Sequence, residues 1–124
     1  MRYLLAAALL APAAGCAKAP PTMAHGQPVE HWVQALHGRD AQARRKAVRV
    51  LGNVGPGDPA VVAALARAAA DPAPAVRREA VTALLKLGPA ASEALPALER
   101  LRNDPDPQVR RDAALAVRKF REVP

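Results

Sequence analysis

Aromatic residues are almost missing from this chain of 124 residues, in which Tyr3, Trp32 and Phe120 are the only three. Alanine, leucine and valine make up most of the apolar half of the composition. β-Sandwiches and barrels depend on β-branched and aromatic residues, whereas small aliphatic side chains suit close contact between helices. The composition therefore predicts an all-α protein, and the length leaves room for a single domain.

Side chains that carry catalytic chemistry are equally scarce. Cys16 is the only cysteine and Ser92 the only serine, so an internal disulfide is excluded and no nucleophile with a neighbouring base is evident. His31 and His37 would lie about 240° apart around a helix, and His25 belongs to a different segment. Glycine-rich phosphate loops are also lacking. We therefore predict no catalytic residue, no metal site, no cofactor and no small-molecule substrate.

Long apolar runs are lacking as well. The run near the N terminus, residues 3–11, is shorter than the roughly 20 residues that a transmembrane helix needs. It follows Arg2 and leads into small residues, an arrangement typical of a secretory signal peptide. The sequence AAGC at residues 13–16 resembles a bacterial lipoprotein signal, in which the cysteine is lipidated. This resemblance implies a signal peptide at residues 1–15, lipidation of Cys16 and a protein exported and anchored to a bacterial membrane, facing the periplasm or the cell surface.

An alternative is an ordinary signal peptide that is cut after residues 17–19, Ala-Lys-Ala, which would release a soluble secreted protein. After Cys16 the chain is rich in proline and has no apolar periodicity, and this predicts a linker over residues 16–27. A dozen extended residues reach roughly 35 Å at most. A lipid-anchored domain on this linker is expected to stay close to the membrane.

The rest of the chain repeats itself. Arg44, Arg77 and Arg110 follow one another at steps of 33 residues, and each belongs to a basic pair. The same step aligns apolar positions over the whole of residues 28–122, a pattern that indicates three copies of one structural unit. The copies cover residues 28–55, 56–88 and 89–122. The aligned apolar columns include Trp32, Leu65 and Leu98; Ala47, Ala80 and Ala113; and Leu51, Leu84 and Val117.

Each copy is predicted to form two helices. Val76, Ala80 and Leu84 recur at helical spacing, as on one face of an amphipathic helix. Asp58-Pro59 and Asp106-Pro107 place a capping residue before a proline that suits the first helical position. The predicted helices are 28–37, 41–54, 59–70, 74–87, 90–103 and 107–122.

Two stretches, DPAPAVRREAVTALLKLGP and DPDPQVRRDAALAVRKF, resemble the short HEAT-like repeat of the PBS-lyase type. The resemblance implies a right-handed α-solenoid of three helical hairpins, with the second helix of each hairpin on the concave surface. It also implies a ladder in which the first arginine of each pair binds an aspartate in a turn between helices. Planar guanidinium groups suit fixed carboxylates. The residues of this structural ladder are Arg44, Arg77, Arg110, Asp71 and Asp104.

The second arginine of each pair has no such structural role. In a regular stack these arginines form a column on the concave face, with aliphatic residues close by. Such a face suits an acidic peptide or protein segment, although a solvated helical surface is the simpler explanation of the charges. The candidate partner-binding residues are Arg45, Arg78 and Arg111, flanked by Arg49 and Arg118, with Leu85 and Leu115 as the apolar spots.

The formal charge of +7 agrees with an acidic partner. We therefore predict a non-catalytic protein interaction module that binds an unidentified protein through an acidic segment. Contact with anionic lipid headgroups is the alternative. Nucleic-acid binding is less well supported, because export removes the ligand and only Trp32 and Phe120 are available to stack on bases. Some proteins that this chain resembles attach bilin chromophores to other proteins, but the chain shows no acid-base groups for such chemistry.

Overall fold

The computed structural model describes residues 19–122, which are mostly helical, as the composition predicts. The predicted signal peptide and Cys16 lie outside the described residues. A short hairpin of β1 (Met23–Ala24) and β2 (Gln27–Pro28) comes first. The elements that follow are α1 (Val29–Ala35), α2 (Ala41–Val54), α3 (Pro59–Ala68), α4 (Pro74–Leu87), a 3-10 segment (Gly88–Ala94), α5 (Leu95–Leu101) and α6 (Pro107–Arg121).

Capping aspartates determine where three of the helices begin. Asp40 accepts hydrogen bonds from the first backbone N–H groups of α2, Asp58 from one of α3 and Asp106 from those of α6. Each bond satisfies a donor that has no partner within the helix, and removal of such a cap costs about 1 kcal/mol. The Asp-Pro pairs of the sequence thus set the start of both α3 and α6.

The helix predicted over residues 90–103 is wrong in its first half. The chain forms a 3-10 segment over Gly88–Ala94, and α5 begins only at Leu95. Pro96 explains the difference, because proline lacks an N–H and is tolerated in the first turn of an α-helix but not in its interior. Upstream of Pro96, the non-helical dihedral angles of Ala91, −97° and 23°, interrupt the helical path.

The last residues of the predicted linker over 16–27, together with Pro28, have regular structure over residues 23–28. They form an antiparallel hairpin, and the two turn residues, His25 and Gly26, have positive φ angles of 48° and 75°. Two-residue hairpin loops of type I′ require such angles. The indole Nε1 of Trp32 donates a hydrogen bond of 2.8 Å to the carbonyl of Ala24, which is buried. The hairpin packs against α2, where its residues face Val50, Asn53 and Val54 across a small hollow.

The helices pack in two layers. The second helices α2, α4 and α6 lie side by side, and α1, α3 and α5 each pack on the second helix of their own repeat. Leu51, Leu65, Leu84 and Leu98 are fully buried between the layers. Contact between α2 and α4 is very close, because a Cβ atom on Gly52 would lie only 2.7 Å from the Cβ of Ala83. No helix within residues 19–122 is both long enough and apolar enough to cross a membrane.

Candidate functional site

In the first two arginine pairs, the first arginine binds an aspartate of the following repeat. Arg44 donates from Nε and Nη2 to Asp71 over 2.8 and 3.0 Å. Arg77 meets Asp104 in the same bidentate way, over 2.8 and 2.9 Å. The Arg77 and Asp104 side chains are only 12% and 5% exposed. Both ion pairs are therefore largely withdrawn from water, where charge-assisted hydrogen bonds are strongest.

The remaining nitrogen, Nη1, of each first arginine donates a hydrogen bond to a carbonyl in the turn that precedes the arginine's own helix. Nη1 of Arg77 donates to the carbonyl of Asp71 over 2.8 Å, and Nη1 of Arg44 to the carbonyl of Gly38 over 3.0 Å. Arg110 does the same with Asp104, over 2.7 Å. No carboxylate of residues 19–122 is bonded to the Nε and Nη2 atoms of Arg110. Each arginine thus ties its own turn, and the first two also tie that turn to the next repeat.

The aspartates of this ladder are held in the ionised form. Burial by itself would raise the pKa of Asp71, but hydrogen bonds from Arg44 and from the Ala73 N–H outweigh it and lower the pKa below the ordinary value. The pKa of Asp104 is lowered in the same way, since Arg77 and a backbone N–H outweigh burial. The carboxylates therefore remain charged throughout the neutral range and act as fixed structural acceptors.

The second arginines, predicted to form an open basic column, also meet acids of the following repeat. Arg45 donates to Glu79 over 3.1 Å, and Arg49 binds the same carboxylate over 3.4 Å. Arg78 donates to Asp112 over 3.3 Å. Sequence reasoning missed these two acids, although each directly follows an arginine pair, in VRRE and VRRD. The charge of the column is therefore partly compensated on α2 and α4.

The compensation ends at α6. Arg111 donates to Gln108 of its own helix over 3.3 Å. Arg118, in the last turn of α6, lies 3.7 Å from Glu122 at the end of the same helix. Among residues 19–122, neither arginine has a carboxylate from another helix. We call the exposed sides of α2, α4 and α6 the second-helix face. The arginines that lack a carboxylate from another repeat are thus concentrated at the α6 end of this face.

The two leucines predicted as apolar spots on this face differ. Leu115 is 39% exposed, whereas Leu85 is half-buried and packs against the core. Leu115 lies on α6, so the exposed leucine and the arginines without a carboxylate from another helix belong to the same helix. A hollow of about 180 Å³ lies on this face between the exposed sides of α2 and α4. Its lining residues are Arg45, Ala75, Arg78, Glu79 and Thr82.

A second hollow, of about 390 Å³, lies along α3 and α5 on the other side of the molecule. Its lining includes four alanines, and it also includes four charged residues, namely Asp71, Arg77, Arg100 and Asp104. Sequence reasoning did not identify it, because alanines at helical spacing are also the normal residues of close helix packing. Three of its charged residues, Asp71, Arg77 and Asp104, are already bonded within the ladder.

Two histidines surround the one tryptophan. His25 and His31 both meet Trp32 edge-on, with ring centroids 6.3 and 5.2 Å away, and the Lys46 ammonium lies 5.9 Å from the indole centroid. These contacts belong to the covered N-terminal side of the stack. Within residues 19–122, no three histidine, cysteine, aspartate or glutamate side chains come together as a metal ion would require.

Comparison with known proteins agrees with the repeated helical hairpins. The family model of HEAT repeats matches residues 29–118. No curated protein matches the sequence. The structure of human deoxyhypusine hydroxylase in complex with glycerol is similar, with a TM-score of 0.62 and 30% sequence identity over 77% of this chain and 32% of that chain. This chain thus spans about a third of that protein's length. Its repeated helices and the match over residues 29–118 show that the protein belongs to the HEAT-repeat family.

Proposed function

We propose that this protein is a non-catalytic interaction module that binds an acidic segment of a partner protein on the second-helix face. HEAT repeats generally mediate protein interactions. In our proposal the three hairpins form a right-handed solenoid, and α2, α4 and α6 line its concave side. No organic cofactor, metal ion or small-molecule substrate takes part.

The observation that carries this proposal is the row of exposed guanidinium groups across three successive repeats. The side chains of Arg45, Arg78 and Arg118 are 40%, 50% and 69% exposed. Exposed ion pairs such as Arg78–Asp112 contribute only about 0 to 1 kcal/mol each. A partner carboxylate is therefore able to compete for these arginines at little cost, while Leu115 adds an apolar contact.

We further propose that the protein is exported and held at a bacterial membrane through a lipid on Cys16. Because the hairpin begins at Met23, only about seven residues remain as a tether, with a reach of roughly 20 Å. The binding face would then act close to the membrane surface. Metabolic labelling with a fatty acid tests this. Label is expected on the wild type but not on Cys16→Ser, and an unlabelled wild type would favour the soluble secreted form.

Photo-crosslinking in cells tests the binding face. A crosslinking amino acid at Thr82 or Leu115 is expected to give a discrete protein adduct, which disappears when Arg45, Arg78 and Arg111 are all changed to glutamate. The matched control reverses three exposed arginines that lie outside α2, α4 and α6, namely Arg39, Arg67 and Arg100.

The control has the same net charge as the test variant, so it separates a local site from a general charge effect. Loss of the adduct in both variants would indicate nonspecific attraction. Recovery of lipid rather than protein on the crosslinker would indicate that the face rests on anionic headgroups. Absence of an adduct in the wild type would contradict the proposal.

A further inference from the structure

Cross-repeat pairing follows one register throughout the described chain. The first arginine of a pair binds an acid 27 residues later, as Arg77 binds Asp104. The second arginine binds an acid 34 residues later, as Arg78 binds Asp112. The two acids are therefore eight residues apart, one in the turn and one in the first half of the helix that follows. The same register applies to the other pair of repeats, in Arg44–Asp71 and Arg45–Glu79.

The third arginine pair lacks both acids. Arg110 is nevertheless oriented like its counterparts, because Nη1 donates to the carbonyls of Asp104 and Pro105 over 2.7 and 3.1 Å. Its Nε and Nη2 atoms, which grip a carboxylate in the two earlier repeats, have no carboxylate partner within residues 19–122. The remaining residues, 1–18 and 123–124, contain no aspartate or glutamate. A carboxylate-binding edge is thus formed in advance but unused by any acidic side chain of this chain.

We propose that this edge of α6 is a receptor for two carboxylates, eight residues apart, on a partner segment that runs from a turn into a helix. The inference rests on the proposed function and names the segment that the face binds. One acid binds the Nε and Nη2 edge of Arg110, as Asp104 binds Arg77. The other binds Arg111, as Asp112 binds Arg78. The partner therefore offers the same surface as a further repeat, and the two surfaces stack.

Charge decides against a second copy of this chain as the partner. Stacked head to tail, a second copy would offer its first repeat to Arg110 and Arg111. In that repeat Gly38 takes the place of Asp71, and Lys46 takes the place of Glu79. Both carboxylates are then missing, and an ammonium group opposes Arg111, so like charges meet. Trp32 and the hairpin also occupy that side of the molecule. The partner is a different protein.

A labelled peptide tests the receptor directly. The probe has the sequence of residues 103–117 with Arg110→Ala and Arg111→Ala, so that it keeps the two acids at their natural spacing, and fluorescence anisotropy measures its binding to the full chain. Arg111→Glu in the protein is expected to weaken binding by about tenfold or more, since a charge-assisted hydrogen bond is lost. Arg67→Glu, which makes the same charge change on α3, is expected to leave binding unchanged.

Three results would overturn the receptor. These are no binding of the peptide to the wild-type protein, equal binding of a peptide with Asp104→Asn and Asp112→Asn, and concentration-dependent self-association of the wild type in sedimentation. Arg111 is exposed and bonds only within its own helix, so the Arg111→Glu protein is expected to fold; its circular dichroism spectrum checks this. A crosslinked partner that is lost with Arg45→Glu and Arg78→Glu but kept with Arg111→Glu would leave the proposed function intact and refute this receptor.

Discussion

Removal of the Asp104 charge is expected to destabilise the protein far more than removal of the Asp112 charge. Asp104→Asn keeps the shape and the acceptor for the Asp106 N–H, but it leaves the guanidinium of Arg77 without its counter-ion. Breaking a buried ion pair on one side costs about 3 to 5 kcal/mol. Because the Arg77 side chain retains 12% exposure, some water reaches it, and we expect about 2 to 4 kcal/mol.

Asp112→Asn is the matched control, because it removes the same charge from the neighbouring pair on the exposed face. The Arg78 side chain is 50% exposed, and such pairs contribute about 0 to 1 kcal/mol. Urea unfolding followed by circular dichroism at 222 nm gives both free energies of unfolding. A domain of this size has about 5 to 15 kcal/mol in total, so Asp104→Asn is expected to shift the midpoint visibly.

Equal losses for the two variants, or a loss below about 1 kcal/mol for Asp104→Asn, would refute this reasoning. A double-mutant cycle with Arg77→Met shows whether the loss belongs to the pair. If it does, Arg77→Met is expected to recover part of the stability of Asp104→Asn, because the uncompensated charge is then gone. Additive losses would mean that the loss in Asp104→Asn does not come from its pair with Arg77.

Three further outcomes are expected. The pKa of Asp104 is lowered from its ordinary 3.8, so its stabilising effect is fully present above about pH 5 and is lost as the pH falls below this value. Urea midpoints should therefore decrease between about pH 6 and pH 3, and they should decrease less steeply in Asp104→Asn. Gly52→Ala should lower the free energy of unfolding by about 1 to 3 kcal/mol, because the new methyl group overlaps the neighbouring helix. Gly57→Ala, which has open space around it, should leave the free energy of unfolding unchanged, and thermal unfolding compares the two variants. Trp32→Phe should lose about 1 kcal/mol with its bond to Ala24, and faster hydrogen exchange of the Val29 N–H would show that the hairpin opens first.

The sequence predicts most of the helical structure because its signals are local. The bounds of α2 and α4, residues 41–54 and 74–87, agree with the sequence prediction. In both helices the apolar period is clear and a glycine follows the last turn. The start of α5 was also readable, since Pro96 is incompatible with a helix that begins several residues earlier. The hairpin was harder to predict, because His25 adopts a positive φ that glycine or asparagine would normally signal.

The candidate site was only half predictable, for a physical reason. A repeat fixes which residues are equivalent, and this places Arg45, Arg78 and Arg111 on the same face. It does not fix the sideways offset between neighbouring helices, which decides whether Arg78 reaches an acid of the next repeat. Asp112 lies within 3.3 Å of it, and that contact depends on how α4 and α6 pack. Side-chain partners across a stack therefore follow from the packing geometry, while the columns follow from the repeat.

The first and third repeats differ in the charged groups that they carry at the two ends of the stack. At the first repeat the acids are replaced by Gly38 and Lys46, and Trp32 closes the surface through its bond to the hairpin. At the third repeat, Arg110 makes the same bonds to the turn as Arg44 and Arg77, and Arg111 keeps the charge of the inner second arginines. In our proposal, the loss of these acids from the first repeat prevents the third repeat from binding another copy of the chain. In the same proposal, the arginines of α6 bind a partner that carries the acids which the first repeat lacks.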